Sequence, residues 1–575
     1  MDIKEIKETP IWTLYEKGQN YHRTVGIYTD TDRNHRFYNG DQWGGAKLGD
    51  VEPVQKNFIR PIVKYKLAVL HDYLYAINYS SQNHENSAFQ AEAEKYCDLL
   101  NSYAHKVWEQ EKMDFKLRKI TKSAAINDEG IIYVNFDEEK KMPVNEVIKK
   151  NDIYYGNEND DDIQNQPYIL IRKRMPEANA KEFAKAYGVS DDKLSYIIGD
   201  NDTFELSGEA AKDEVDDMVT IVYKFFKKDG TVHFSVATRW LEILKETDIG
   251  IKLYPIAHFN WEEKEGSARG EGEVRYLIPN QIEVNRTEVR RVLTVKYQAY
   301  PQKVVDTSKI SNPSALNTVG GLIKTNGQPV EDVHKVVTIL QPAQMSPDVK
   351  QLQEDLINVT RELAGAGDVA TGQVNPEQAS GRAILAVQQA EQAPMTDQRE
   401  RLKNHIEDIA RIWLEYFIAY SVDGIPMETE VEVNGEKQIQ VVNVPQSALK
   451  QLQATVKIDI TPKGVYDKFA QEQTIENLLM QGLLTPQRVG ELEIYAELLD
   501  DDSVAPKTKI QEACKLVRQN QQRIAMLQAQ AQAMQQRAQQ FLMEDAYAQA
   551  SQMAEAQMQA QMPQEMPMEE EMVEE

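Results

Sequence analysis

Clustered carboxylates are the first places to look for chemistry, because a hard cation needs several oxygens at fixed spacing. Asp30, Asp32 and Asn34 alternate like the opening of a calcium loop. The sixth position is His35, where that loop turns on glycine, and the twelfth is Asp41 rather than glutamate. An ordinary solvated turn is the expectation. Asp160-Asp161-Asp162 closes the run Asn157 to Asp162 with no histidine beside it, so an exposed acidic loop is expected there too. Gly270-Glu271-Gly272 imitates a dinucleotide-binding turn, but acids flank it, and a loop that opens a helix fits better. The nine histidines are scattered, without His-x-x-x-His and without cysteine partners. Neither the phosphate-loop pattern Gly-x-x-x-x-Gly-Lys-Ser/Thr nor the nucleophile elbow Gly-x-Ser-x-Gly occurs. These residues compose no catalytic constellation; the chain is expected not to be an enzyme and to use neither cofactor nor metal.

Beyond single residues, the chain has 575 residues, 65 basic and 91 acidic, for a net charge of -26. A protein that grips DNA by neutralising phosphates should be basic. This one repels nucleic acid at long range, which argues against a tight duplex binder but not against a surface past which DNA slides. Cys97 and Cys514 lie far apart, which excludes a disulfide scaffold and a CxxC zinc module; Cys97 reads as a core thiol. The charged opening MDIKEIKETP and the want of an apolar run of about 18 residues point away from secretion and from the membrane.

Periodicity places the elements. A Gly-Asp turn at Gly40-Asp41 is followed by a helix opened by Pro61, with Ile62, Tyr65, Val69 and Tyr73 on one face. A second helix is expected from about Ser87 to Lys116 and a third segment from there to Asn127. Residues 130 to 260 read as mainly β, with strands at 130–136, 168–172, 219–226 and 231–236, the last two joined by the turn Lys227-Lys228-Asp229-Gly230. From Gly270 the pattern turns helical, with a joint at Pro279 and an end at Tyr300-Pro301. Short β runs (303–305, 321–324, 335–340) follow, and then a helix capped at Ser346-Pro347-Asp348 that ends near Leu363. A glycine-rich loop, a short helix over 380–392, and a long amphipathic helix carrying Leu402, Ile406, Ile409, Trp413, Tyr416 and Tyr420 come next. Asn434-Gly435 marks a hairpin and 455–461 a strand. Ile510, Ala513, Val517, Asn520, Ile524, Leu527, Ala531, Met534, Ala538 and Phe541 keep a heptad register in a final long helix. The last fifteen residues hold six glutamates and no Lys or Arg, as a disordered acidic tail does.

Several motifs then align with one family. Phe37-Tyr38-x-Gly40-Asp41-Gln42-Trp43, Asn57-x-Ile59-x-Pro61, Leu277-Ile-Pro279-x-Gln281-x-x-x-Asn285-Arg286, and Ala379-Ser380-Gly381-Arg382-Ala383-Ile384 with Gln388-Gln389 occur in family order. In these the chain resembles the portal proteins, or head-to-tail connectors, of tailed bacteriophages, closest to the short-tailed-phage type. The resemblance covers most of the chain; the clip is short, and the Gln/Ala/Met-rich end matches weakly.

The resemblance implies an α+β, portal-type subunit of a dodecameric ring. Residues 1–265 and 395–464 would be an α/β wing, 266–300 and 345–364 two stem helices, and 301–344 a small β-containing clip. Residues 365–394 would be the tunnel loop and its helix, 465–560 a helical crown and barrel, and 561–575 the tail. The implied function is a ring at the capsid vertex through which double-stranded DNA is packaged and ejected, without sequence specificity. Implied partners are the terminase large subunit, head-tail adaptor and tail proteins, and major capsid and scaffold proteins, in a virion assembled in the host cytoplasm. Implied DNA-facing residues are Gly365, Gly367, Asp368, Thr371, Gly372, Gln373 and Asn375. Implied stem residues are Gln281, Glu283, Asn285, Arg286, Arg290, Arg291 and Lys296; of these Arg286, Arg290, Arg291 and Lys296 either face the tunnel or pair with Glu283 and Glu288, and the spacing favours pairing within the helix. Implied docking residues at the clip are Lys303, Lys309, Lys324, Asn326, Glu331, Asp332 and Lys335. The competing classes are a nucleic-acid-processing enzyme, which would need clustered metal ligands, and a cytosolic helical scaffold built on the heptad end.

Overall fold

The computed structural model describes residues 7–46, 52–81, 87–200, 217–318, 320–327, 332–342, 344–367, 393–420, 424–433, 436–451, 454–462 and 507–560. The expected helix at 380–392, the motif at 379–384 and the acidic tail lie outside them. The chain divides into two units, Met1–Pro462 and Lys463–Glu575.

The first unit opens with two helices where the sequence suggested turns. α1 (Pro10–Val25) is N-capped by Thr9, whose side chain accepts from the Trp12 N–H, and ends at Gly26 with φ 84°. α2 (Ile27–Asn39) follows at once and ends at Gly40. The calcium-like stretch is therefore helical, not a solvated turn: Asp30 pairs with Arg33 and Asp32 with Arg36, while Thr31 and Asn34 are buried. α3 (Ile59–Leu70) stops earlier than its apolar spacing suggested, and Tyr73 begins strand β1 (Tyr73–Ser81) instead of extending the helix. α4 (Ser87–Gln110) and α5 (Met113–Ile126) break at Lys112, held at φ 51°, rather than near 116.

The middle is β, interrupted by two helices. β2 (Glu129–Asp137), β3 (Met142–Ile148), β4 (Ile153–Tyr155) and β5 (Ile169–Pro176) precede α6 (Glu177–Ala186) and α7 (Asp191–Leu194). β6 (Met218–Lys228), β7 (Thr231–Ala237), β8 (Glu242–Asp248) and β9 (Ile256–Asn260) follow. They form two antiparallel sheets, β3-β2-β9 and β4-β5-β6-β7-β8. The Lys228↔Thr231 register leaves Asp229-Gly230 as a two-residue turn, both at positive φ, which suits the twist of the hairpin.

α8 (Glu273–Ala299) is one continuous helix with Pro279 inside it. β10 (Lys303–Val305) pairs with β11 (Val337–Ile339) around a small core of Ile310, Leu316 and Val336. Residues 321–324 form no strand; Thr325 makes an isolated bridge to Ile310. α9 (Asp348–Leu363) returns beside α8. α10 (Thr396–Tyr420) buries Leu402, Ile406, Ile409, Trp413 and Tyr416 against β9 and β2. Its Trp413 Nε1 donates to Asn145 Oδ1 (3.0 Å), and Tyr416 donates to the Val134 carbonyl (3.1 Å). β12 (Ile425–Val433) and β13 (Glu436–Val444) pair as a hairpin; its turn residues Asn434 and Gly435 lie outside the described set. α11 (Gln446–Gln451) leads to β14 (Ala454–Pro462), which pairs antiparallel with β1. The main core therefore joins residues up to 284 with Ala364, Ala366 and residues from 395 onward. In the second unit, α12 (Lys507–Ala560) is a single helix of 54 residues, about 80 Å long at 1.5 Å per residue.

Candidate functional site

α8 changes character along its length. Its first four turns are mounted in the main core, and its last three project from it. Mounting begins just before the helix: a Cβ on Gly272 would lie 2.6 Å from the Asn127 carbonyl, and one on Gly270 2.2 Å from the Glu262 carbonyl. The Gly-Glu-Gly element is thus a close-packing loop that opens a helix. Glu273 accepts from Lys66 (2.7 Å) and from the Trp261 indole (3.3 Å). Two turns on, Gln281 and Asn285 are buried. Gln281 Oε1 accepts the Phe58 N–H (3.0 Å), and its Nε2 donates to the Lys56 carbonyl (2.9 Å) and to Asn285 Oδ1 (3.0 Å). Asn285 Oδ1 accepts the Lys56 N–H (3.1 Å), while its Nδ2 donates to Gln42 Oε1 (2.5 Å). Gln281 and Asn285 therefore point into the main core of the subunit. They satisfy backbone that would otherwise be buried unpaired ahead of α3.

A second mounting point is a buried charge cluster that no sequence spacing announces. Arg269 pairs with Glu129, with Glu158 (Nε to Oε2, 2.8 Å) and with His22 Nε2 (2.9 Å), and donates to the Ile153 carbonyl (3.1 Å). Glu129 also meets His258 (2.8 Å) and Tyr155 (3.2 Å). One guanidinium thereby ties α1, both sheets and the root of α8. Glu158 is accordingly not part of a solvated acidic loop; its side chain is 10% exposed. Burial alone would push the Glu129 carboxyl up, but Arg269 and then His258 overcome this and hold it at about 2. Burial, reinforced by Arg269, pushes His22 down to about 4.

α8 meets α9 through polar ties in both its mounted and its projecting part. Asn280 Nδ2 donates to Thr360 Oγ1 (2.9 Å). Gln353, buried, donates to Glu288 (2.7 Å) and to the Val284 carbonyl (3.3 Å), and accepts from Arg291 (2.7 Å), which pairs with Glu288 (3.1 Å). Arg286 pairs with Glu283 (2.5 Å) on the surface. Arg290 is exposed and makes no ion pair with any described residue, and Lys296 is exposed beyond it. Apolar side chains face outward: Val295, Tyr297 and Tyr300 on α8 and at its end, and Leu352, Val359 and Leu363 on α9.

α9 ends in a tight cap. The Ala366 N–H donates to the Arg361 carbonyl (2.8 Å) and the Gly365 N–H to the Glu362 carbonyl (2.9 Å), with Gly365 at φ 67°. Ala364 and Ala366 are buried in the main core. The first part of the expected loose loop is therefore anchored. Gly367 follows it, and Asp368, Thr371, Gly372, Gln373 and Asn375 lie outside the described residues.

In the module between the two helices, several expected docking residues fold the module itself. Lys303 Nζ donates to the Leu316 carbonyl, Asn326 Nδ2 to the Ser308 carbonyl (2.9 Å), and Asp332 accepts the His334 N–H (3.0 Å). Lys309 pairs with Asp306 (3.5 Å), and Lys324 and Lys335 are exposed; Glu331 lies outside the described residues. The apolar Val304, Leu322, Ile323, Ile339 and Leu340 are exposed.

The family model described as phage P22-like portal protein matches residues 207–568. The chain belongs to the P22-like phage portal proteins. Its role is that of a portal, the connector of a phage particle. Among solved structures, a chain from the neck of an empty GTA particle is similar at 10% identity, with a TM-score of 0.32, covering 74% of this chain and 86% of that one. No curated protein matches it. Within this portal subunit, three of the four sequence motifs meet at one place: Gln42, the Lys56–Phe58 backbone and Gln281–Asn285 are a single hydrogen-bonded joint. Long amide side chains at i and i+4 on a helix face, with a proline two residues before the first, were the signal for it. No comparable spacing announces Arg269, whose partners come from 111 to 247 residues away. Among the described residues no helix is long and apolar enough to cross a membrane, and no three metal-ligating side chains are grouped.

Proposed function

We propose that this portal subunit works in a closed ring, twelve-fold in the family pattern, at one capsid vertex, with double-stranded DNA packaged and later ejected through its centre. In this assignment the main core is the wing, α8 and α9 are the stem, the 301–344 module is the clip, and α12 belongs to the crown and barrel. The observation that carries it is the inverted polarity of the α8–α9 pair. Its inner seam is tied by buried amide and hydroxyl groups, while a stripe at Leu352, Val359 and Leu363 faces outward. A helix pair that turns apolar side chains away from its own partner gains by burying them against further copies. Repeated head-to-tail with a rotation that closes, such a contact makes a ring.

The paired state of Arg286 and Arg291 supports a stem past which DNA slides rather than one that grips it, since a cation already satisfied by a carboxylate offers phosphate little. The exposed apolar side chains of the clip module, more than its lysines, would dock the terminase during packaging and the tail adaptor afterwards. The wing would meet the capsid and scaffold proteins. Electron microscopy and native mass spectrometry of the full-length chain test the assignment: rings with a central opening are expected. Only monomers and dimers at micromolar concentration, and none in capsids, would overturn it.

A further inference from the structure

α3 and α5 carry a charge opposite to the rest of the chain. In their 26 residues stand seven cations (Arg60, Lys64, Lys66, Lys116, Arg118, Lys119, Lys122) and one acid, Asp114, in a protein of net charge -26. Lys66 is taken up by Glu273 and Lys116 by Glu111. The other five are exposed, and none makes an ion pair with a described residue. They share one surface. The helices pack on each other, and the Arg60 guanidinium and Lys122 ammonium both approach the ring of Tyr38, at 6.0 and 5.4 Å from its centre. Arg118, Lys119 and Lys122 fall on one face of α5 with Phe115, over whose ring the Lys119 ammonium lies at 4.7 Å. Aromatic rings thus hold three of the cations in place, so that less side-chain entropy is lost when an anion arrives. Two like charges drawn to one ring repel each other, and an anion between them relieves that.

We propose that this α3–α5 face binds the phosphate backbone of double-stranded DNA, without sequence specificity, at a place separate from the stem and the loop after it. The proposal rests on the portal role of the chain. An acidic peptide is the other polyanion to weigh. Peptides that order on binding gain most from a sheet edge or an apolar groove, which offsets the entropy lost, and acidic peptides held without these are held by arginine clusters, whereas three of the five cations here are lysines. These two helices offer neither edge nor groove; Phe115 is the single exposed large apolar side chain on them among the described residues. A row of cations on helix faces instead suits a stiff ligand of regular, closely spaced charge.

The test uses the full-length chain and a fluorescent duplex of roughly 30 base pairs, with anisotropy read from about 50 to 200 mM salt. Wild type should bind with a steep salt dependence. The variant Arg118→Gln/Lys119→Gln/Lys122→Gln should bind at least about tenfold more weakly, with a salt slope shallower by about 2.7, or roughly 0.9 for each phosphate no longer neutralised. A control with Lys245→Gln/Lys252→Gln should bind as wild type does. Three outcomes overturn the proposal: no duplex binding at the lowest salt, a triple variant indistinguishable from wild type, or polyglutamate displacing the duplex as well as unlabelled duplex does. Electron microscopy of the same samples separates this from the ring assignment, because duplex binding by the α3–α5 face is read whether or not rings form.

Discussion

At the scale of single residues, Arg269 is the group whose loss should cost most. Arg269→Gln strands Glu129 and Glu158 as buried carboxylates without their counter-charge, and breaking a buried pair from one side costs about 3–5 kcal/mol. Thermal or urea unfolding of the variant should show that loss, while Arg286→Gln, whose pair is on the surface, should cost less than about 1 kcal/mol. The same cluster gives the subunit an acid limit. His22 is held at about 4 against an ordinary 6.5, so the folded state binds fewer protons than the unfolded one between these values. Stability from that source is lost as pH falls from about 6.5 towards 4. His405, buried and held at about 3, has the same sign. Glu129, held at about 2, adds its loss below about 4.5. Asp128 runs the other way, because burial raises it, and its protonation relieves a cost on acidification. Glu158, held down chiefly by Arg269, and His35, pushed down by burial, add to the loss, whereas burial raises Asp408 to about 6 and also raises Glu262, which opposes it. The lowered groups outnumber the raised ones, so the unfolding midpoint should drop between pH 7 and about 4. A midpoint that is flat or rises over that range would show that the cluster does not set the acid limit.

At the scale of elements, the sequence showed β2, β5, β6, β7, β14 and the two projecting helices, because period-2 and period-3.6 patterns are local, but not β1, β3, β4, β8 or β9. It failed where tertiary packing chose between local options. α3 and Tyr73 share one helical spacing, yet Tyr73 pairs with Pro462 across nearly four hundred residues, and the helix stops. α1 and α2 were hidden because polar residues such as Gln19, His22, Thr31 and Asn34 sit inside and blur the apolar stripe. The stem residues were partly legible: the Glu283–Arg286 spacing carries its pair in plain view, whereas the inward turn of Gln281 and Asn285 depends on backbone 225 residues away. Two expectations follow from the helix pair. Leu352→Asp should leave the monomer folded by circular dichroism but weaken each neighbour interface about tenfold or more, so native mass spectrometry should lose the ring. Deleting Asp368 to Gly372 should leave rings intact while packaged DNA is shortened or poorly retained. The deletion has to begin after Gly367, since Gly365 and Ala366 cap α9 and anchor it in the core. Full-length, stably retained genomes in that mutant would show that the loop does not act on DNA.

At the scale of the molecule, the second unit should be dispensable in part. α12 extends to Ala560 with Met543, Tyr547, Met553 and Met558 exposed. Large apolar side chains are sparse there among Gln, Ala and Glu, so residues 543–575 contribute little burial. Removing them should leave ring formation unchanged by electron microscopy; a truncated chain that no longer assembles would mean that the helical seam continues further towards the C-terminus.

The two polar ties between α8 and α9 also set how the subunit yields under load. One joins residues 280 and 360, the other residues 288 and 291 with 353. They stand about 12–16 Å apart along the axis, and together they resist sliding of one helix along the other, as two rungs stiffen a ladder. Beyond Arg291 the helix turns Val295 and Tyr297 to its exposed side, and about 13 Å of it remains before Tyr300. Any push delivered at the far module is therefore taken up first as bending in that last stretch. The braced part passes on only what is left, as a rigid tilt about the Gln281–Asn285 joint.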